Sequence, residues 1–162
     1  MTVISRLYCK KETSGAGSDE VYTAAWAPGG PNIVWNTLTV HIVPGPNNDS
    51  NWEDFDSGDV RTNDREVYPS SFTLGAGTVF VALIEKDFGH DFTLSSAETN
   101  ELEKYLDEKY QSSMTSEEAK SLFRKGIEKF ISNDELIGVA KAGADTILKG
   151  EGAEYRITWG AS

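Results

Sequence analysis

The sequence predicts a mainly β protein: an antiparallel β-sandwich with an inserted two-helix hairpin. Two observations predict it. Runs rich in β-branched and aromatic residues, punctuated by Gly, Pro, Asn and Asp, fill the first ninety residues and return after residue 135; this is the composition of strands. Two helix-start signatures are confined to residues 94–131. Strands, a helical insertion, then strands again is the order of an all-β sandwich with one elaborated loop. The 162 residues read as one domain, 1–162, long enough to bury a core.

Val3 to Lys10 alternates well enough for an edge strand, and residues 13–19 carry turn chemistry. Glu20 to Trp26 is a second strand, broken by Ala27-Pro28-Gly29-Gly30-Pro31-Asn32. Ile33 to Val43 reads as a third, with Trp35, Leu38, Val40 and Ile42 as core candidates. Residues 44–66 are acidic and read as a solvated loop. Asp49, Asn51 and Glu53 have the alternation of an EF-hand, but Asp54 stands where that loop needs glycine, so the match fails. Val67-Tyr68 and residues 71–74 are short strand candidates, and Thr78–Ile84, the most hydrophobic run, should be a central strand.

The insertion follows. Ser95-Ser96-Ala97-Glu98 and Thr115-Ser116-Glu117-Glu118 are capping boxes. Leu102, Tyr105 and Leu106 share one face of the first helix with Leu94; Ala119, Leu122, Phe123, Ile127, Phe130 and Ile131 recur at helical spacing in the second. Strands resume at Leu136–Lys141 and Glu154–Trp159, the latter entered through the turn Gly150-Glu151-Gly152-Ala153. Because both flanks carry their own strand patterns, the hairpin is expected to be a separable decoration of a loop.

Composition narrows function. A net charge of −11 opposes nucleic-acid binding, which needs a basic surface. Cys9 stands alone and the histidines are only His41 and His90, so thiolate or His-rich metal sites are excluded. No stretch approaches the roughly 18–20 apolar residues of a transmembrane helix. The first residues lack a secretory signal pattern, which predicts a cytoplasmic protein or one exported without a signal peptide. No Gly-x-Ser-x-Gly turn is present, and Phe88-Gly89-His90-Asp91 is a weak catalytic candidate.

The sharpest functional signal is a pair of polar, acid-rich clusters at predicted strand ends, Glu85-Lys86-Asp87 and Asn133-Asp134-Glu135. Carboxylates brought together there are the raw material of an oxygen-ligand calcium site. Residues 79–87 followed by Asn133-Asp134-Glu135-Leu136-Ile137-Gly138 resemble the C2-type calcium- and lipid-binding sandwiches, in which a central strand ends in an acid-x-acid triplet. Gly152-Ala153-Glu154-Tyr155-Arg156-Ile157 is similar to the last strand of such folds. Here Glu85 replaces the usual Asp, and about forty residues intervene where a short loop is expected. The resemblance implies a calcium site from Glu85, Asp87 and Asn133 or Asp134, with Asp19 approaching from an opposing loop and Asp91 as a further ligand.

Three functions are therefore expected to compete. One is a non-enzymatic calcium-binding sandwich that engages a membrane surface or protein partner through the bound ion. The second is a metal-free interaction protein, an effector or assembly subunit docking through the helical hairpin. The third is a small hydrolase using paired carboxylates, whose separation sequence does not reveal.

Overall fold

The computed structural model describes residues 2–14, 19–30, 33–36, 54–62, 64–69, 77–86, 96–131 and 134–160. Of these, 46% are strand and 25% helix, which makes the fold mainly β. In chain order the elements are β1 (Thr2–Lys11), β2 (Asp19–Trp26), β3 (Val34–Asn36), β4 (Asp54–Phe55), β5 (Val60–Arg61), β6 (Arg65–Tyr68) and β7 (Phe80–Glu85). Then come α1 (Ser96–Lys109), α2 (Ser116–Phe130), β8 (Glu135–Lys141), β9 (Thr146–Gly150) and β10 (Ala153–Trp159). One antiparallel sheet has the order β5-β1-β10-β9, with β6 also on β1; the other has β3-β2-β7-β8, with β4 on β2.

The two sheets face each other across Ile4, Leu7, Cys9, Val67, Leu148, Tyr155 and Ile157 on one side and Val21, Ala25, Val81, Leu83 and Ile137 on the other. β1 runs inside its sheet, between β10 and the β5–β6 pair, and is not the edge strand its sequence suggested. Its alternation is broken by a register shift between Ile4 and Arg6. That shift lets Ile4 and Leu7, an odd number apart, both reach the core.

The second sheet is the middle layer. Its other face, Tyr22, Ala24, Trp26, Phe80, Ala82 and Ile84, lies under Leu102, Leu106, Ala119, Leu122, Phe123 and Ile127 of the helices. Burial on both faces explains why β7 is apolar without alternation. The hairpin is thus a third layer of the core, which corrects the expectation of a separable decoration. Its second helix starts at the predicted capping box: Glu118 N–H donates to the Thr115 hydroxyl at 3.2 Å, and Thr115 N–H donates to the Glu118 carboxylate at 3.2 Å. The first predicted box lies partly on Ser95, outside the described residues.

The acidic segment also departs from its reading as a loop. β4 pairs with the start of β2 and β5 with Leu7-Tyr8, and Phe55 is fully buried with its ring 5.8 Å from that of Tyr155. Apolar Phe55 anchors a segment whose charges otherwise disguise it. The remainder of the predicted third strand, residues 37–43, and the candidate at 71–74 lie outside the described residues.

β8 and β9 belong to different sheets but are joined by the short corner at residues 142–145. They press together where Gly150 meets the backbone of Ile137; a Cβ at Gly150 would collide with the Ile137 carbonyl, so only glycine fits. This corner closes one side of the sandwich and positions the groove described next.

Candidate functional site

Of the six predicted metal ligands, three are described: Asp19, Glu85 and Asp134. Asp87, Asp91 and Asn133 lie outside the described residues. Asp19 has a different place from the loop ligand expected. It is 1% exposed, and its carboxylate accepts the Thr13 N–H at 2.9 and 3.1 Å, the Thr13 hydroxyl at 2.6 Å and the Tyr155 hydroxyl at 2.6 Å. Those donors occupy both oxygens, so the side chain ties the β1–β2 connection at Thr13 to Tyr155 of the facing sheet. Burial and the bond to Asp19 push the Tyr155 hydroxyl far up from its ordinary pKa.

Asp134 accepts a hydrogen bond from the Tyr22 hydroxyl at 2.5 Å, on the helix-covered face of the middle sheet. Glu85 is in register with Val21 and follows Val81 and Leu83 by alternation, which directs it towards the opposite face. The two carboxylates still share a neighbourhood. Burial pushes the Tyr22 hydroxyl up, and Asp134 and then Glu85 add to that shift. Glu85 and Glu135 are directly paired across β7 and β8. Among the described residues, no three His, Cys, Asp or Glu side chains are grouped as a metal site would require.

Two concavities among the described residues lie elsewhere, along α2 where it passes the β8–β9 corner. One, of about 490 Å3, is lined by Lys120 and Arg124 of α2, Gly138 and Val139 of β8, and Thr146–Lys149 of β9. The other, of about 310 Å3, is lined by Arg124, Glu128 and Ile131, by Asp134–Ile137, and by Gly150 and Glu151. Arg124 borders both, and the lining residues advance in step along α2 and β9. Together they form one groove.

The groove sorts charge by position. Its first half has an apolar floor of Val139 and Leu148 under Lys120, Arg124 and Lys149. Its second half is lined by Glu128, Asp134, Glu135 and Glu151 together with Arg124, over the buried Ile131, Leu136 and Ile137. The three cations meet carboxylates within the chain: Lys120–Glu117 at 3.4 Å, Arg124–Glu128 at 3.5 Å and Lys149–Glu154 at 3.4 Å. Each pair has at least one well-exposed partner and holds its geometry weakly. The Thr146 hydroxyl is spent on the Ala144 carbonyl at 2.6 Å. Ile147, on the strand that bounds the groove, is 56% exposed, the one exposed large hydrophobic among the described residues.

The sequence reading missed this site because it missed β9. The available signal was short: Thr146-Ile147-Leu148-Lys149 lies between two glycine turns, and Gly150-Glu151-Gly152 reads as a hairpin connection. Lys120 and Arg124 carried no signal of their own, since charges on the outer face of an amphipathic helix are ordinary.

No protein-family model, curated protein or solved structure matches the chain. No described helix is long and apolar enough to cross a membrane.

Proposed function

We propose that the protein is a non-enzymatic interaction domain that binds a polypeptide segment of a partner in the groove between α2 and the β8–β9 corner. The observation that carries this reading is the groove itself: an apolar floor with Lys120 and Lys149 beside its first half, carboxylates beside its second, and Arg124 bordering both. Apolar surface supplies affinity, and charge placed by position supplies selection and orientation. The hairpin contributes through α2's outer face, because its apolar stripe is already packed on the sheet. The hydrolase reading has less support. Glu128, Glu135 and Glu151 are exposed, whereas acid–base carboxylates are tuned by desolvation. Selection from a random peptide display library tests the proposal. Peptides carrying acidic residues beside apolar ones are expected to be enriched, and K120E/R124E should abolish their capture. Enrichment that is indifferent to K120E/R124E, or none at all, overturns it.

A calcium site that recruits a membrane or protein surface is the second reading, supported by the negative charge that Asp134 and Glu85 both bring to bear on the Tyr22 hydroxyl. Thermal melts in EDTA and in millimolar calcium separate the two. A bound ion at 100 times its dissociation constant adds about 2.7 kcal/mol, several degrees for a chain of this size. On this reading calcium raises the melting temperature and D87N lessens the gain; superimposable melts eliminate it.

A further inference from the structure

Resting on the groove reading, we infer that the partner segment binds as an added β-strand on the free edge of β9, running antiparallel to it, with a basic N-terminal half and an acidic C-terminal half. Among the described residues β9 pairs only with β10. Its other edge borders the groove, because Thr146–Lys149 line the larger cavity and Gly150 and Glu151 the smaller. An edge strand presents a row of backbone donors and acceptors ready to pair with another extended chain. Edge strands are commonly guarded by bulges or inward-pointing charge, yet here the guard is slight: Lys149 is the only charged residue of Thr146–Gly150, and Ile147 is exposed.

The dimensions agree. Lys120, Arg124 and Glu128 follow one line of α2, a rise of about 12 Å, and its cap Ile131 extends that line. Thr146 to Gly150 spans about 13 Å of extended chain. The groove therefore takes about five residues of an extended strand.

Polarity sets the direction. Moving from Thr146 towards Glu151, the walls change from Lys120 and Arg124 to Glu128, Asp134, Glu135 and Glu151, with Arg124 at the boundary between them. An antiparallel strand, the more stable arrangement per residue, begins beside Glu151 and ends beside Thr146. Its first residues complement carboxylates and its last complement cations. Alternation then places its charged side chains towards Lys120, Arg124 and the carboxylates of the groove, and its apolar ones on the outer face that Ile147 shares with Lys149. A nucleic acid or an anionic vesicle fits less well. Each presents one sign of charge to a two-signed groove on a chain of net charge −11.

The test uses the full chain and two labelled, end-blocked octapeptides, Lys-Val-Lys-Val-Glu-Val-Glu-Val and its charge-reversed counterpart Glu-Val-Glu-Val-Lys-Val-Lys-Val, in fluorescence anisotropy. The Lys-first peptide is expected to bind about tenfold more tightly. N-methylation of alternate backbone amides in one of the two possible phases should remove that binding, and hydrogen exchange at Ile147–Lys149 should slow in the complex. Tighter binding of the Glu-first peptide overturns the antiparallel direction. Binding that depends on Lys120 and Arg124 but tolerates N-methylation in both phases, with unchanged exchange along β9, overturns strand addition and leaves the groove reading standing. If neither peptide binds at millimolar concentration, and display selection yields nothing dependent on Lys120 and Arg124, both readings fall together.

Discussion

Asp19 shows how far one residue's role departs from its sequence signature. An acid at a strand start suggests a loop ligand, but its partners are Thr13, six residues away, and Tyr155, 136 residues away. Nothing local announces the second contact, which exists only because β1 brings β10 beside the start of β2. D19A strands the Thr13 and Tyr155 donors in a buried site and is expected to cost about 2–4 kcal/mol in urea unfolding; Y155F, which removes one donor, should cost about half as much. Equal effects would show that the carboxylate has no special part. Cys9, fully buried beside this network, gives a pH dependence of defined sign. Burial raises its thiol from 9.0 to about 11. The unfolded chain therefore loses this proton near pH 9, while the folded chain keeps it until about pH 11. The thiol's contribution is complete below pH 9 and is lost as pH rises to about 11, a fall of a few kcal/mol. Tyr22, Tyr68 and Tyr155, also raised by burial, add to the alkaline loss in wild type and variant alike. Denaturation of wild type and C9A at pH 8 and pH 10.5 isolates the cysteine: the wild type should lose more stability over that interval than C9A does.

At the scale of elements, the strands buried on both faces were legible and the ones at the margins were not. β7 announces itself because five consecutive residues, Phe80–Ile84, are buried and apolar. β2 is legible from its alternation of Val21 and Ala25 with Tyr22 and Trp26, which the structure divides between two cores. β4 and β5 are two residues each and lie among acids, and β9 is five residues with one inward and one outward aliphatic side chain. Such strands owe their existence to partners distant in sequence, which periodicity does not register. The β9–β10 hairpin still left one local trace. Its two central residues, Glu151 and Gly152, have φ of 53° and 83°, the left-handed pair that a two-residue primed turn demands. Glycine meets that demand freely and glutamate does not. E151N is therefore expected to stabilise the chain by about 1 kcal/mol and to raise the melting temperature by about 2–4 °C. A fall in melting temperature would mean that Glu151 gives more through its side chain than its backbone costs.

The whole molecule is a middle sheet enclosed on both sides, and this decides what the helices are for. Their existence, and the position of the second one's start, could be read from the chain; their necessity could not, because an apolar stripe fits a decorative hairpin and a structural layer equally well. The aromatic contacts separate the two. The Trp26 ring lies 5.5 Å from Phe123 of α2, 5.7 Å from Tyr110 and 6.2 Å from Phe80. Phe123 and Ile127 are fully buried, as are Leu102 and Leu106 of α1. Gly126 permits the close approach of the two helices, since a Cβ there would lie 2.9 Å from the Leu102 side chain. F123A should therefore cost about 3–5 kcal/mol, as for a ring lost from any packed interior. I147T, at the exposed edge of the groove, should stay within about 0.5 kcal/mol of wild type. Replacing residues 94–131 by a short Gly/Ser linker is the stronger test. It would expose Tyr22, Trp26, Phe80 and Ile84 together, a contiguous apolar face of the kind that drives association. The shortened chain is expected to be aggregated or to lack a cooperative transition. A soluble variant that unfolds cooperatively would return the hairpin to the status of an appendage and, with it, remove the rigid wall that α2 supplies to the groove.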